Sequence, residues 1–128
     1  MAKILLIDDE PLVTQMLEKT LVAEGFKVEV GIMAKEGLEK AKSGKPDLIM
    51  LDIMMPDVNG IEVLEKLKAD AETKNIPVVM MTNLSGPHEV EMAMSRGALA
   101  HWVKGDSDAK QLKEKIMGVL ERVGQKPA

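Results

Sequence analysis

Short apolar runs alternate along the chain with segments of helical periodicity. Apolar runs of four to six residues that end at turn signals are typical of strands buried on both faces of a parallel sheet. The sequence contains five of them: Lys3–Ile7, Lys27–Val30, Leu48–Leu51, Ile76–Met81 and Ala100–Val103.

Each apolar run is followed by a segment in which apolar residues recur at helical spacing. These stripes begin at Val13, Ala34, Ile61, Val90 and Leu112. Gly25 and Gly44 stand where the first two helices should end, and Asn59 and Asp108 stand where the third and fifth should begin. The pattern predicts a β-α unit repeated five times, in an α/β fold with a doubly wound five-stranded parallel sheet and helices on both faces.

Polar residues close four of the five strand runs. They are the adjacent pair Asp8 and Asp9, then Asp52, Thr82 and Lys104. Because parallel strands end at the same edge of a sheet, and because binding sites lie beyond those ends, we expect these side chains to converge.

The charges of these residues indicate a cation and a phosphoryl group. Three close carboxylates repel one another, and Lys104 offsets only one of them. Mg²⁺ prefers oxygen ligands and would balance the rest. With the metal bound, Thr82 and Lys104 could hold phosphoryl oxygens, and Asp52, alone at its strand end, is the best candidate nucleophile. Taken singly, each residue also has a plain structural explanation; for example, Asp9 and Glu10 before Pro11 could favour a helix N-terminus.

Composition and net charge argue against several classes of site and partner. The chain of 128 residues has no cysteine, which excludes disulfides, cysteine metal sites and cysteine nucleophiles. Its formal net charge of −4 is unfavourable for nucleic-acid binding, so we expect no direct nucleic-acid contact. The longest aliphatic run, from Ile4 to Ile7, is too short to span a membrane, and we expect a cytoplasmic protein without membrane contact.

The motifs around these residues resemble the receiver domain of bacterial two-component response regulators, of the chemotaxis-regulator-like kind. The resemblance runs from Lys3 to about Val123. It is carried by Asp-Asp after the first strand, by LDIMMPDVNG around Asp52, by Met-Thr at 81–82, by Gly-Ala at 97–98 and by Lys104. It implies the flavodoxin-like receiver fold over residues 1–124, followed by a short C-terminal tail at 125–128.

The resemblance also implies a role for each site residue. Asp52 would accept a phosphoryl group from a sensor histidine kinase or phosphotransfer protein. Asp9, Asp52 and the backbone carbonyl of Met54 would bind Mg²⁺ directly, with Asp8 acting through water. Thr82 and Lys104 would bind the phosphoryl oxygens. Such a protein is a signalling module and not an enzyme.

Signalling in the family depends on a switch. Phosphorylation draws Thr82 and an aromatic residue of the fifth strand inward, which reshapes the face made by the fourth helix, fifth strand and fifth helix, where a downstream protein binds. The loop after Asp52 would be shaped by Pro56 and by Gly60, since glycine adopts conformations that other residues resist.

Three positions depart from the family pattern. Gly105 follows Lys104 where proline is usual, so we expect a trans peptide there and an unusual backbone angle at Gly105. Asn83 follows Thr82 where a small residue is usual. His101 occupies the aromatic switch position. Because a charged imidazole is costly to bury, acid should oppose an inward His101.

Three other functions share features of this pattern. An aspartate-nucleophile phosphatase needs a second Asp two residues after the nucleophile, where this chain has Met54. A flavodoxin-like electron carrier needs a Ser/Thr/Gly-rich loop after the first strand, where this chain has Asp8-Asp9-Glu10-Pro11. A degenerate receiver that binds partners without phosphorylation stays open because of the three departures. The short tail and Met1 favour a stand-alone regulator over a receiver excised from a longer chain.

Overall fold

The computed structural model describes residues 2–55, 58–82, 87–105 and 107–123, and these residues form one parallel sheet with helices on both faces. The strands are β1 (Lys3–Ile7), β2 (Lys27–Gly31), β3 (Leu48–Asp52), β4 (Val78–Thr82) and β5 (Ala100–Val103). The helices are α1 (Pro11–Ala23), α2 (Ala34–Gly44), α3 (Gly60–Ala69), α4 (Pro87–Ser95) and α5 (Ala109–Arg122).

The strand order is β2-β1-β3-β4-β5, and each neighbouring pair is parallel. The order reverses at β1, so the crossovers place helices on opposite faces of the sheet. All five strands end at one edge, which we call the carboxyl edge. The predicted doubly wound fold is therefore confirmed.

Apolar side chains of the central strands fill two cores, one on each face. Leu5 and Ile7 pack with α2, α3 and α4, whereas Ile4 and Leu6 pack with α1 and α5. Strands covered on both faces need apolar residues at every position, which explains why they appear in the sequence as continuous runs. No helix within the described ranges is long and apolar enough to cross a membrane.

The predicted helix starts are confirmed in atomic detail. The Asn59 side chain accepts a hydrogen bond from the Ile61 N–H at 2.8 Å and caps α3. At α5, Asp108 accepts from the Gln111 N–H at 2.8 Å, and the Gln111 side chain accepts from the Asp108 N–H at 3.0 Å. This reciprocal pair is a capping box, which satisfies two N–H groups that a helix start leaves unpaired.

The strand boundaries differ from the sequence prediction at the carboxyl edge. β4 was predicted over Ile76–Met81 but runs from Val78 to Thr82, because Pro77 has no N–H to donate to the sheet. β3 likewise includes Asp52 as its last residue. Asp52 and Thr82 are therefore held by the strand ladder itself, and not by the loops that follow it.

Gly60 is required for a reason that the sequence did not suggest. Its φ angle is not positive, so unusual backbone conformation is not what selects glycine there. Instead, a Cβ atom at this position would lie 2.0 Å from the Asp52 carbonyl oxygen and 2.8 Å from Ile53 Cα. The Gly60 N–H also donates to the Ile53 carbonyl at 2.7 Å. The start of α3 is thus pressed against the backbone that carries Asp52. Pro56, the other residue expected to shape this loop, lies outside the described residues.

Replacing Gly60 with Ala should therefore lower the free energy of unfolding by about 3 kcal/mol, since the clash is with backbone atoms that cannot rotate away. Gly118→Ala is the matched control, because a Cβ atom there would meet nothing within 4 Å on helix α5. That control should be neutral or stabilising. Urea unfolding of both variants measures the difference, and equal stability of Gly60→Ala and the unmodified protein would contradict the close approach.

Candidate functional site

A lysine and three carboxylates meet at the carboxyl edge. Lys104 follows β5, and its Nζ lies 2.7 Å from Asp8 Oδ2, 2.8 Å from Glu10 Oε1 and 3.3 Å from Asp52 Oδ2. The side chains of Asp8, Asp52 and Lys104 are 0%, 3% and 5% exposed, respectively, whereas that of Glu10 is 40% exposed. We call these four residues the carboxylate–lysine cluster.

Backbone hydrogen bonds orient both buried carboxylates. Asp8 Oδ1 accepts from the Glu10 N–H at 3.0 Å, and Asp52 Oδ1 accepts from the Met54 N–H at 3.3 Å. One oxygen of each carboxylate is thus turned back to its own loop, and the other, Oδ2, faces the centre of the cluster. Within the described part of the chain, neither Oδ2 atom receives a hydrogen bond of good geometry, although both lie near the Lys104 ammonium.

These buried oxygens fit a hard divalent cation. Carboxylate oxygens of Asp8, Glu10 and Asp52 lie within 4.8 Å of one another. When all four groups are ionised, three carboxylates and one ammonium carry a net charge of −2, and such an excess of charge at a largely buried site is costly unless a further cation balances it. The donor set is entirely oxygen, which is the chemistry that Mg²⁺ selects.

Burial dominates the electrostatics of Asp52. Loss of water around its carboxylate, together with the charge of Asp8, raises the pKa of Asp52 to about 7 despite the opposing attraction of Lys104. Burial by itself would lower the pKa of Lys104, but its contacts with Asp8 and Glu10 and the charge of Asp52 raise that pKa to about 12. Lys104 is therefore charged throughout the neutral range, while Asp52 titrates within it when no metal is bound.

Because of this raised pKa, the free energy of unfolding of the metal-free protein, compared with that of the Asp52→Asn variant, should rise as the pH falls. In the unfolded chain Asp52 loses its proton near its ordinary pKa of 3.8, but in the folded protein it does so near 7. Its contribution is therefore fully present below pH 3.8 and is lost as the pH rises toward 7. At pH 8 Asp52→Asn should be more stable by about 2 kcal/mol, roughly half of what the full shift allows, since the new amide N–H group is buried facing an ammonium and finds no acceptor there.

Chemical unfolding of Asp52→Asn and of the unmodified protein in EDTA, at pH 5 and at pH 8, measures the stability advantage of the variant. It should shrink by more than half at pH 5. A constant difference at the two pH values would show that Asp52 does not titrate in this window.

The other residues singled out in the sequence lie near the cluster but differ in their contacts. Thr82 is buried as the last residue of β4, and its carbonyl accepts from the Lys104 N–H at 2.7 Å. Asp9 is half-buried and is not among the three acidic residues whose oxygens approach within 4.8 Å. Met54 exposes 68% of its surface. Asn83 lies outside the described residues.

Strand β5 carries two of the remaining features. His101 is half-buried and pairs with Met80 in the sheet register. Trp102 packs on the face of α1 and α5, with Lys115 Nζ 5.8 Å from its ring centre. The described backbone contains no cis peptide, and Gly105 has a φ of +83°, as predicted for the Lys104–Gly105 step.

Glu10 is the cluster residue that sequence reasoning missed. It was considered as a residue favouring the helix start, but its side chain makes no cap hydrogen bond to α1 and instead binds Lys104 across 94 positions of sequence. A signal was present, because Glu10 directly follows the acidic pair at the end of a strand. Its identity alone could not show which way the side chain turns.

Comparison with known proteins agrees with this geometry. Residues 4–117 match the family model described as "Response regulator receiver domain". The chain is 33% identical over 126 residues to the response regulator ArlR of Staphylococcus saprophyticus, covering 98% of this chain and 56% of that protein. It is 32% identical over 127 residues to the DNA-binding dual master transcriptional regulator RpaA of Synechocystis, covering 99% of this chain and 52% of that protein. The chain thus spans about half the length of these relatives.

Solved structures share the fold over nearly the whole chain. A CheY-like receiver domain protein from Methanospirillum hungatei has a TM-score of 0.88 at 27% identity, covering 97% of both chains. The chemotaxis protein CheY4 of Vibrio cholerae has a TM-score of 0.87 at 29% identity, covering 94% of this chain and 99% of that one. Because the family model matches residues 4–117, which is most of the chain, the chain belongs to the response regulator receiver domain family of two-component systems.

Proposed function

We propose that the protein accepts a phosphoryl group on Asp52 from the phosphohistidine of a sensor histidine kinase or phosphotransfer protein. The observation that carries this proposal is the buried carboxylate–lysine cluster, in which Asp52 Oδ2 faces an ammonium group and a second buried carboxylate. Binding alone would not require such an arrangement, because burying unbalanced charge is costly to folding.

The transfer is a displacement at phosphorus. A carboxylate oxygen of Asp52 forms a bond to phosphorus while the bond to the donor imidazole nitrogen breaks, and that nitrogen leaves with the electron pair and takes up a proton from solvent. Asp52 must be deprotonated to attack, and the charge of Lys104 favours that form. Lys104 and Thr82, both at the carboxyl edge, then hold the new phosphoryl oxygens.

A divalent cation would supply charge neutralisation for the phosphoryl oxygens when bound. We assign its protein ligands to Asp9, Asp52 and the backbone carbonyl of Met54, with Asp8 acting through water. Asp8 and Asp52 already face the centre of the cluster, and the Met54 N–H hydrogen bond to Asp52 holds that loop beside it.

The phosphorylated protein would signal through the face of α4, β5 and α5 to a downstream protein. Thr82 and His101 are the proposed switch residues. They lie on the neighbouring strands β4 and β5, and the Lys104 N–H bond to the Thr82 carbonyl connects the ends of those strands. His101 and Met80 are register partners beside the core formed by α2, α3 and α4.

Two expectations from the sequence stand as predictions for this chain. The comparisons do not support the expected lack of direct nucleic-acid contact, since the relative RpaA is a DNA-binding regulator. The net charge of −4 remains the argument against such contact by this chain. We also assign the receiver domain to residues 1–124; the tail at 125–128 lies outside the described residues.

The proposal is tested by incubating the protein with a small phosphodonor and Mg²⁺ and measuring its intact mass. We expect a mass increase of one phosphoryl group, found on Asp52 after peptide mapping and absent when EDTA is present. An unchanged mass would favour a degenerate receiver. Steady release of inorganic phosphate at high turnover would favour a phosphatase.

The metal ligands are tested by calorimetric titration of Mg²⁺. Asp9→Ala should abolish binding, because it removes a direct ligand, whereas Asp8→Ala should only weaken it, because water can replace an indirect contact. Glu39→Ala, at an exposed position on α2, controls for the loss of one negative charge. If Asp9→Ala binds Mg²⁺ as well as the unmodified protein while Asp8→Ala does not bind it, Asp8 is the direct ligand and Asp9 the indirect one.

A further inference from the structure

Lys104 has partners on two sides of the site. On the inner side lie Asp8 and Asp52, which are fully or almost fully buried. On the outer side lies Glu10, with 40% of its side chain exposed, and its Oε1 accepts a hydrogen bond from Lys104 Nζ at 2.8 Å. The described contacts thus give the ammonium a solvent-side partner that nothing in the proposed transfer uses.

In the proposed site, a divalent cation needs oxygens that the ammonium now faces, Asp52 Oδ2 as a direct ligand and Asp8 Oδ2 through water. Asp8 Oδ2 and Asp52 Oδ2 are 2.7 Å and 3.3 Å from Lys104 Nζ. Two cations at such distances from the same oxygens repel strongly, and most of all in a site shielded from water. The ammonium must therefore move away from the inner oxygens when the cation enters, and it needs another anionic partner, since a buried charge without one is costly.

We propose that Glu10 is a positioning residue that retains the Lys104 ammonium at the outer side of the site when a divalent cation takes the inner oxygens. This inference rests on the cation binding of the proposed function and not on phosphorylation. Glu10 lowers the cost of displacing Lys104 and so strengthens cation binding without touching the ion. It also keeps the ammonium within reach of a phosphoryl group that arrives later.

A double-mutant cycle with Mg²⁺ tests the proposal. Calorimetric titrations compare the unmodified protein, Glu10→Met, Lys104→Met and the double variant at one fixed ionic strength. Glu10→Met should weaken Mg²⁺ binding about tenfold, as expected for the loss of a charge-assisted hydrogen bond. Lys104→Met should strengthen binding, because it removes the competing cation.

The decisive comparison is the effect of Glu10→Met in the Lys104→Met background. It should fall below about threefold there, since no ammonium remains to be positioned. Glu121→Met, which removes one charge at the far end of α5, is the control and should change binding less than twofold. An equal loss in both backgrounds would overturn the proposal and make Glu10 a ligand or a local charge. A failure of the unmodified protein to bind Mg²⁺ would overturn both this inference and the metal site of the proposed function.

A crystal structure with Mg²⁺ provides a second test that needs no lysine variant. We expect Lys104 Nζ to keep its hydrogen bond to Glu10 while moving away from hydrogen-bond distance of Asp8 Oδ2. Glu10 bound to the ion, or Lys104 still between Asp8 and Asp52 beside a bound ion, would refute the positioning role. If the double-mutant cycle gave the expected Mg²⁺ affinities but the protein took up no phosphoryl group, the result would count against the proposed function alone.

Discussion

Replacing Asp52 with Asn should leave the protein unable to take up a phosphoryl group from a small phosphodonor. An amide has no anionic oxygen to attack phosphorus, and no other carboxylate of the cluster has the same position at the end of the central strand β3. Intact-mass measurement should show full loss of the modification. Because Asn preserves the shape of Asp, the variant should stay folded, which circular dichroism would verify.

Modification that persists at the same level in Asp52→Asn would place the acceptor elsewhere. Asp47→Asn is a suitable matched control, since that carboxylate lies before β3, at the opposite edge, and accepts the Lys3 N–H at 2.8 Å. It should be phosphorylated as well as the unmodified protein. The comparison separates loss of the acceptor from loss of one aspartate charge elsewhere in the chain.

Replacing Lys104 with Met should destabilise the metal-free protein by about 3 kcal/mol at pH 8. The change leaves Asp8 and Asp52 buried without their cation, and breaking a buried ion pair from one side has a cost of this order. The loss should be smaller at pH 5.5, where Asp52 is protonated in the folded state. Mg²⁺ should restore most of the stability, since it replaces the missing positive charge.

Urea unfolding with and without Mg²⁺ measures these effects. Lys113→Met is the control, because Lys113 is 47% exposed and lies 3.9 Å from Glu24, a surface pair whose removal should change stability by less than about 1 kcal/mol. If Lys104→Met were as stable as the control at pH 8, the ammonium could not be what balances the two buried carboxylates.

The sequence predicted the fold well because burial on both faces leaves a strong mark on each strand. Ile4, Leu6, Leu48 and Val79 are fully buried, and none of them could be polar without a partner. The connection order then brings the strand ends together, so the sequence alone is enough to assign Asp8, Asp52, Thr82 and Lys104 to one edge. Strand boundaries were less predictable. The missing N–H of Pro77 moved the start of β4 to Val78, two residues after the apolar run begins at Ile76.

Side-chain direction and close approach could not be predicted from the sequence. The bond between Glu10 and Lys104 depends on how two long side chains turn across an edge, and local pattern carries no information about that. Gly60 could be recognised as important, but its reason, contact with the Asp52 carbonyl, is visible only in three dimensions.

The place of β5 in the sheet determines how the site can open. β5 is a four-residue strand at the edge of the sheet, and none of its residues is fully buried. Central strands exchange their amide hydrogens only when the whole molecule unfolds, whereas an edge strand with few buried contacts can detach at lower free energy. Such a detachment would carry Lys104 away from the carboxylates while β1 and β3 keep Asp8 and Asp52 in place. We therefore expect the lysine half of the site to open at lower free energy than the carboxylate half, and amide hydrogen exchange in β5 would report when the two halves separate.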